Sequence, residues 1–198
     1  MLQYCIGTPA EVARWSVAKG SPDGVSVMAN NNVLIAVRDC GHLVIFTPTG
    51  QVVKEIKLPS ELVNPRHALQ FDNEEFLLCH GWGGSAYGIC VVGSDGRIIK
   101  SASSSSSSAA SAAADGGLPA PKSFTPTHLT LDRHGNILAA EFTGSAIQLY
   151  NKRLHYITDV VARSSGLKQP FRLCLGTASG RLYVGEYSGG GRVLVFGK

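Results

Sequence analysis

The chain has 198 residues, of which 44% are hydrophobic and 16% are charged, and its formal net charge is +4. This size and hydrophobic fraction predict one globular domain with a core, and so small a charge excess does not by itself indicate nucleic acid as the partner. No apolar run reaches roughly 18 residues, and the N-terminus has neither a basic region nor a long apolar stretch, so we predict no membrane span and no signal peptide.

Two short strands are predicted at the N-terminus, at residues 3–6 and 12–17. They match the last two strands of a repeat unit of the kind that fills the rest of the chain. In a second interpretation, residues 12–17 supply the outer strand of the last repeat and so close a ring. Residues 3–6 would then belong to no unit, which counts against simple closure.

Four prolines, Pro22, Pro65, Pro126 and Pro170, each begin the same pattern of strands and turns, and they are 43, 61 and 44 residues apart. A first apolar strand follows each proline, a second begins eleven or twelve residues after it, and a third lies about ten residues further on. The repeats are predicted at about residues 22–57, 65–100, 126–161 and 170–196. A period of about 40–45 residues with several strands per unit is typical of β-propeller blades.

The first two repeats are predicted to contain four strands each. In the first repeat the strands fall at residues 25–28, 33–37, 42–46 and 51–56, and in the second at 68–71, 76–79, 88–92 and 97–100. The fourth strand of the first repeat alternates apolar and polar residues, which suits the outer edge of a blade.

Residues 101–121 separate the second repeat from the third and are of low complexity, with an unbroken serine run at 103–108. A segment with so little apolar surface cannot offset the entropy lost on ordering. We therefore predict a disordered Ser/Ala-rich insertion between two blades.

The third repeat is predicted to have strands at residues 129–131, 137–140, 146–150 and 156–161, and the fourth at 172–175, 181–184 and 192–196.

The five cysteines of the chain are odd in number and include no CxxC pair. That pattern argues against a disulfide framework and favours a reducing compartment, so we expect a cytoplasmic location.

Three segments of the repeats carry a resemblance to a known family. Residues 135–141 and 180–186 each contain a turn, an apolar strand and a final glutamate, and Thr127-His128-Leu129 is similar to an Asn-His-Leu signature. On these residues the sequence resembles the NHL-repeat family, as found in the C-terminal propellers of tripartite-motif proteins. The resemblance implies an all-β propeller, usually of about six blades, of which the four units and the N-terminal remnant would form part. It also implies recognition of protein partners or of RNA. A ubiquitin-ligase activity would need zinc-binding domains, and no cysteine and histidine array with zinc spacing is present.

One repeat position carries polar residues that we expect at a mouth of the central channel. His67, His128 and Arg172 each stand two residues after a repeat proline, at the start of the innermost strand. We interpret them as groups that hydrogen-bond one blade to the next, and the alternative is a polar ring that binds a ligand or a metal. Gly24 fills this position in the first repeat, so a third histidine for a metal is lacking.

A second repeat position, at the end of the second strand, holds His80, Glu141 and Glu186. Carboxylates around a channel could hold a hard cation, as in the calcium-dependent lactonases of the same architecture. We favour solvated turn anchors, and we predict no metal, no cofactor and no catalytic residue.

Four aromatic residues lie just beyond the second strands or at the start of the third, namely Trp82, Tyr87, Phe142 and Tyr187. Exposed aromatic side chains often anchor protein interfaces, so we predict that these residues contact a partner on one rim. The predicted function is a non-enzymatic scaffold that binds a protein. The alternatives are binding of structured RNA by a basic face and a metal-dependent lactonase or hydrolase with a channel site. Self-association through open blade edges is a further expectation.

Overall fold

The computed structural model of the chain is all-β and contains four antiparallel sheets that follow one another along the sequence as propeller blades. The structure describes residues 2–5, 8–17, 20–83, 86–103, 121, 123–176, 178–188 and 190–197, and for residues 2–14 the backbone alone. Their helical content is a short 3-10 turn at Arg163–Ser165, and none of the helical structure in these residues could cross a membrane.

The N-terminal strands form a hairpin of their own, in which β1 (Leu2–Cys5) pairs antiparallel with β2 (Thr8–Arg14). The predicted strand at 12–17 therefore ends early and does not complete the last repeat. Trp15 and Val17, which follow β2, pack against a buried cluster on blade 1, and the Trp15 ring lies 6.2 Å from that of Phe46. This apolar contact holds the segment against the first blade.

Blades 1 and 2 each contain four strands in a simple meander, in which every strand pairs with the next along the chain. Blade 1 consists of β3 (Pro22–Val27), β4 (Val33–Val37), β5 (His42–Phe46) and β6 (Val52–Lys57). Blade 2 consists of β7 (Pro65–Asp72), β8 (Glu75–His80), β9 (Gly88–Gly93) and β10 (Ile98–Ser103).

The first three residues of the predicted disordered insertion, 101–103, are in fact part of strand β10, where they pair with β9. The prediction was wrong for these residues, which belong to blade 2. The rest of the predicted disordered segment, apart from Pro121, lies outside the described residues.

Blade 3 again has four strands, and blade 4 has three. Blade 3 consists of β11 (Pro126–Leu131), β12 (Ile137–Glu141), β13 (Ala146–Tyr150) and β14 (Tyr156–Val161). Blade 4 consists of β15 (Pro170–Gly176), β16 (Arg181–Glu186) and β17 (Val193–Phe196).

Two turns between strands need particular residues, because their backbone adopts a left-handed conformation. Asn31, between β3 and β4, has a φ of 64°, a left-handed conformation that asparagine adopts more readily than most residues. Gly96, between β9 and β10, has a φ of 84°, and a Cβ there would lie 2.2 Å from the carbonyl oxygen of Lys57 in blade 1. This turn therefore needs glycine both for its conformation and for the close approach of the two blades.

Apart from the cluster on blade 1 that Trp15 and Val17 cover, three clusters of the core lie between successive blades. One cluster joins blades 1 and 2 across Leu34 and Leu78, a second joins blades 2 and 3 across Leu77 and Ile137, and a third joins blades 3 and 4 across Ile147. The second strands of blades 1, 2 and 3 are the centres of these clusters, because β4 and β12 are buried along their whole length and β8 along nearly all of it.

Blade 4 differs from the other blades because one of its faces is not covered by any described residue. Strand β16 alternates between buried and less buried residues, unlike the second strands of the other blades. On the open face Cys174 is opposite Tyr183, and Tyr183 is opposite Val195. Cys174 and Val195 are exposed, so Cys174 is not the buried small hydrophobe that an apolar strand would suggest.

Candidate functional site

The repeat prolines lie at one end of the channel, which we call the proline end. In each blade the strand that begins at the proline pairs with the end of the second strand, so that Pro65 is opposite His80 and Pro126 is opposite Glu141. The first strands β3, β7, β11 and β15 contact one another in succession. Residues next to the prolines in sequence therefore meet at the proline end, although they come from four different blades.

The two histidines that follow the prolines bond each blade to the next. His67 Nδ1 accepts a hydrogen bond from the backbone NH of Leu129 in blade 3 at 3.3 Å, and His128 Nδ1 accepts one from the backbone NH of Leu173 in blade 4 at 3.4 Å. The two imidazole rings stack with their centroids 3.6 Å apart.

Burial keeps these histidines neutral. It lowers the pKa of His67 to about 4, with the Arg172 charge adding to the effect. It also lowers the pKa of His128 to about 2, with further contributions from His67 and Arg172. His80, at the end of β8, is buried too, and its pKa is lowered to about 4 for the same reason. None of the three adds positive charge to the proline end near neutral pH.

Four side chains from blades 2 and 4 alternate between aromatic rings and guanidinium groups, and we call them the Arg–aromatic stack. The Arg66 guanidinium lies 4.6 Å from the centre of the Trp82 ring and 5.5 Å from that of Phe171. The Arg172 guanidinium covers the Phe171 ring at 4.1 Å. These distances are within the range of cation–π attraction, which is strongest for arginine over tryptophan where water is excluded.

Asp23 of blade 1 contacts both arginines of the stack. Its Oδ2 lies 3.8 Å from Arg66 Nε, and its Oδ1 accepts a hydrogen bond from Arg172 Nη2 at 3.4 Å. One carboxylate thus joins blades 1, 2 and 4 at the proline end. Both Asp23 Oδ2 and Arg66 Nε are buried without a hydrogen-bond partner. Burial also lowers the pKa of Arg172, an effect that Arg66 strengthens and Asp23 opposes.

Two further aromatic residues extend the stack to one side. Phe142 and Tyr187 lie with ring centres 5.7 Å apart, and each also contacts Phe171, at 6.4 Å and 5.4 Å respectively. Trp82 is 56% exposed and Tyr187 is 68% exposed. We call the four residues of the stack together with Phe142 and Tyr187 the rim surface. Exposed rings held by neighbouring rings offer large, rigid contact area.

Three of the four predicted contact residues, Trp82, Phe142 and Tyr187, lie in the rim surface. Tyr87 lies beside the loop that carries Trp82, where its hydroxyl accepts a hydrogen bond from the backbone NH of Gly83 at 3.3 Å. Arg172, which was predicted at the channel mouth, is part of the rim surface, whereas His67 and His128 bond blades to one another.

Sequence analysis missed Asp23, Arg66 and Phe171, although a signal for them existed. All three stand directly after a repeat proline, one residue before the repeat position that His67 occupies. Thr127 fills the same place in blade 3. Their residue types differ completely, so no motif marked them.

His80, Glu141 and Glu186, at the ends of the second strands, were predicted to be solvated, and all three are buried instead. Glu141 accepts hydrogen bonds from the backbone NH and the hydroxyl of Thr125, the hydroxyl of Ser123 and the backbone NH of Gly144. Glu186 accepts one from the backbone NH of Lys168 at 2.6 Å and forms an ion pair with Arg192 at 2.8 Å. A buried carboxylate requires such partners, so these residues anchor the segments ahead of β11 and β15.

No group of three His, Cys, Asp or Glu side chains in the described part of the chain is arranged to hold a metal ion. A separate open cavity of about 470 Å³ lies at the opposite end of the inner strands, lined by Val27, Phe71, Leu131 and Leu175 with the polar Gln70 and Asp72 among others.

No family model matches the sequence, and no curated protein matches it. Solved β-propeller structures do match the fold. The WD40 propeller domain of Doa1 has a TM-score of 0.64 at 15% identity over 96% of this chain and 55% of its own. A catalytically inactive virginiamycin B lyase from Staphylococcus aureus, solved with quinupristin, has a TM-score of 0.56 at 18% identity over 88% of this chain and 55% of its own.

A protein of unknown function from Bacteroides caccae has a TM-score of 0.54 at 15% identity over 89% of this chain and 57% of its own. The chain therefore spans little more than half the length of these propellers. Identities this low show a shared β-propeller fold and carry no activity from one protein to another.

Proposed function

We propose that this propeller is a non-enzymatic scaffold that binds a protein partner through the rim surface, and that its repeats are of the NHL type. The observation that supports the proposal is the assembly of Trp82, Phe142 and Tyr187 with Phe171 and two arginines at one end of the channel. Tryptophan, tyrosine and arginine are the residues that most often dominate the energy of protein interfaces. Here they are fixed in place before any partner arrives, which reduces the entropy that binding would cost.

The alternatives have less support from the site. A lactonase or hydrolase with a channel metal would need carboxylates that are available as ligands, and Glu141 and Glu186 already accept hydrogen bonds from their own blades. RNA could stack on Trp82, but among the arginines at the proline end Arg66 and Arg172 share Asp23 and Arg192 pairs with Glu186, so little positive charge is left for phosphates. RNA is therefore an outcome that the experiment must be able to detect.

The experiment compares the proteins that the immobilised chain and its variants capture from a lysate, identified by mass spectrometry with and without ribonuclease. We expect Trp82→Ala and Tyr187→Ala to lose the same set of captured proteins, whether or not ribonuclease is added. Phe71→Ala is the matched control, because Phe71 is a half-buried aromatic residue at the opposite end of the channel. A thermal melt of each variant separates loss of binding from loss of folding.

Two results would contradict the proposal. Capture that disappears with ribonuclease would favour RNA as the direct ligand. Capture that survives Trp82→Ala and Tyr187→Ala but is lost with Phe71→Ala would place the binding surface at the opposite end.

A further inference from the structure

The charges within the Arg–aromatic stack do not balance. Arg66 and Arg172 bring two positive charges, and Asp23 is the single carboxylate that contacts either of them among the described residues. The stacked His67 and His128 beneath them are neutral, for the reasons already given. Glu141 and Glu186 lie nearby in the fold, but their oxygens accept hydrogen bonds from the segments that they anchor. The stack therefore has one guanidinium charge more than it has carboxylates.

The two arginines are not equivalent. Arg66 is only 5% exposed and is held between Trp82 and Phe171, so it acts as a fixed charge. Arg172 has a side chain that is 40% exposed, and its contact with Asp23 is long, at 3.4 Å. Its Nη1 donates to the carbonyl oxygen of Phe171 at 3.0 Å and its Nη2 donates to Asp23, but a guanidinium has further NH groups that can bind a carboxylate. Arg172 is thus the group that can accept a further carboxylate from outside without leaving Phe171.

A buried, unsatisfied polar atom adds a second and independent observation. Arg66 Nε has no hydrogen-bond acceptor, although the side chain is buried, and Asp23 Oδ2 beside it has no donor. Buried polar groups are normally paired, and an unpaired one costs free energy. If Arg172 bound an external carboxylate, Asp23 could turn fully to Arg66 and shorten the present separation of 3.8 Å.

The side chains around Arg172 indicate which other groups a ligand should contain. The exposed Trp82 ring lies against Arg66 and the exposed Tyr187 ring lies against Phe171, and both can pack against apolar side chains. We propose that the rim surface recognises an acidic peptide segment of the partner, in which an Asp or Glu side chain pairs with Arg172 and neighbouring apolar residues pack on Trp82 and Tyr187. This inference rests on the proposed function and names the chemistry of its partner.

The test is selection of peptides from a phage-displayed library of random 12-residue sequences on the immobilised chain, followed by affinity measurements on the selected peptides. We expect the selected sequences to be enriched in Asp or Glu beside apolar or aromatic residues. Replacing the acidic residue of such a peptide by its amide should weaken binding at least tenfold, because it removes the charge and keeps the shape. This comparison changes the peptide alone, so it cannot be confused with misfolding of the chain.

Variants of the chain give the complementary measurement. Arg172→Gln should weaken binding of the acidic peptide by a similar factor and should bind the acidic and amide peptides equally. Arg181→Gln is the matched control, since Arg181 is exposed in the same blade at the opposite end of the channel. Binding should also weaken as salt is raised from 50 to 500 mM in a series of titrations, because exposed charge pairs are screened.

The outcomes distinguish this inference from the proposed function. Selected peptides that need Trp82 but tolerate the amide would overturn the acidic preference alone. Peptides that bind Trp82→Ala as well as the unchanged chain, or a selection with no enrichment, would contradict both. A structured RNA hairpin that displaces a selected peptide at a concentration below that of the peptide would show that Arg172 binds nucleic acid instead.

Discussion

The Asp23 carboxylate of blade 1 lies 3.8 Å from the Arg66 guanidinium of blade 2, and both side chains are largely buried. An ion pair withdrawn from water contributes little net stability, but removal of one partner leaves the other charge buried and unpaired. Arg66 is also part of the rim surface, where it stacks on Trp82, so the pair affects both the fold and the position of Trp82.

Asp23→Asn should destabilise the chain strongly, because Arg66 and Arg172 would then face each other without a carboxylate. We expect a loss of about 3–5 kcal/mol in the free energy of unfolding, measured by urea denaturation. Asp95→Asn is the control, because the Asp95–Arg97 pair is exposed at 3.4 Å and should contribute about 0–1 kcal/mol. Equal losses in the two variants would show that the buried pair has no special role.

Acid should destabilise the chain through its buried histidines. In the unfolded chain a histidine takes up a proton as pH falls through 6.5, whereas His67 and His80 do so in the folded chain only at about 4 and His128 at about 2. The unfolded state therefore binds more protons below pH 6.5, and stability falls as pH is lowered from there. Each histidine contributes a slope of up to about 1.4 kcal/mol per pH unit.

The measurement is the free energy of unfolding at pH 7.5, 6.5, 5.5 and 4.5. The His67→Gln, His128→Gln double variant should be less stable at pH 7.5 and should lose less stability than the unchanged chain on going to pH 4.5. A double variant with the same pH slope would mean that other groups control acid unfolding.

Glu141→Ala should be among the most damaging single changes in blade 3. The side chain is fully buried, and its loss leaves the NH groups of Thr125 and Gly144 without their acceptor. At about 1–3 kcal/mol for each unsatisfied group, we expect a loss of several kcal/mol in a thermal or urea melt. Glu55→Ala, on the exposed face of β6, is the control and should change stability little. Equal losses of stability in the two variants would contradict the prediction.

The isolated chain should self-associate through blade 4. Strand β17 is an edge strand among the described residues, and Val193 and Val195 on it are exposed. An unpaired edge with an apolar face favours pairing with another chain. The Val193→Lys, Val195→Lys double variant should reduce association in sedimentation velocity experiments over a concentration series.

The control for association is Val52→Lys with Val53→Lys, on the outer strand of blade 1, where the two valines are similarly exposed. A chain that is monomeric at every concentration, or one whose association both double variants reduce equally, would rule out blade 4 as the contact.

Much of the fold could be predicted because its signals are local. The predicted strands at residues 33–37, 42–46, 146–150 and 156–161 have the bounds that the structure gives them. Each is an apolar or alternating run, and a turn residue bounds three of them: Asn32 precedes the first, Gly41 precedes the second and Asn151 follows the third. Such short turns leave the chain few alternatives. The N-terminal segment was harder, because Trp15 belongs to no repeat and its packing on blade 1 depends on a distant surface.

The site could be predicted only in part, because it forms between blades. Trp82, Phe142 and Tyr187 were found from their shared place after the second strand. Their connection through Arg66 and Phe171 depends on where the first strands converge, which no local pattern encodes. The burial of Glu141 was missed for a related reason, since three of the four groups that bond it come from Ser123 and Thr125, on the far side of the preceding strand.

The clusters that successive blades share should determine the order in which the blades unfold. Each cluster draws on two neighbouring blades, so the loss of one blade disturbs its neighbours and reaches the others only through them. Blade 2 takes part in two clusters and has two strands buried along nearly all of their length, whereas blade 4 takes part in one. Amide hydrogens should therefore exchange last in β8 and β9 and first in β17, with unfolding that begins at blade 4 and proceeds inward one blade at a time.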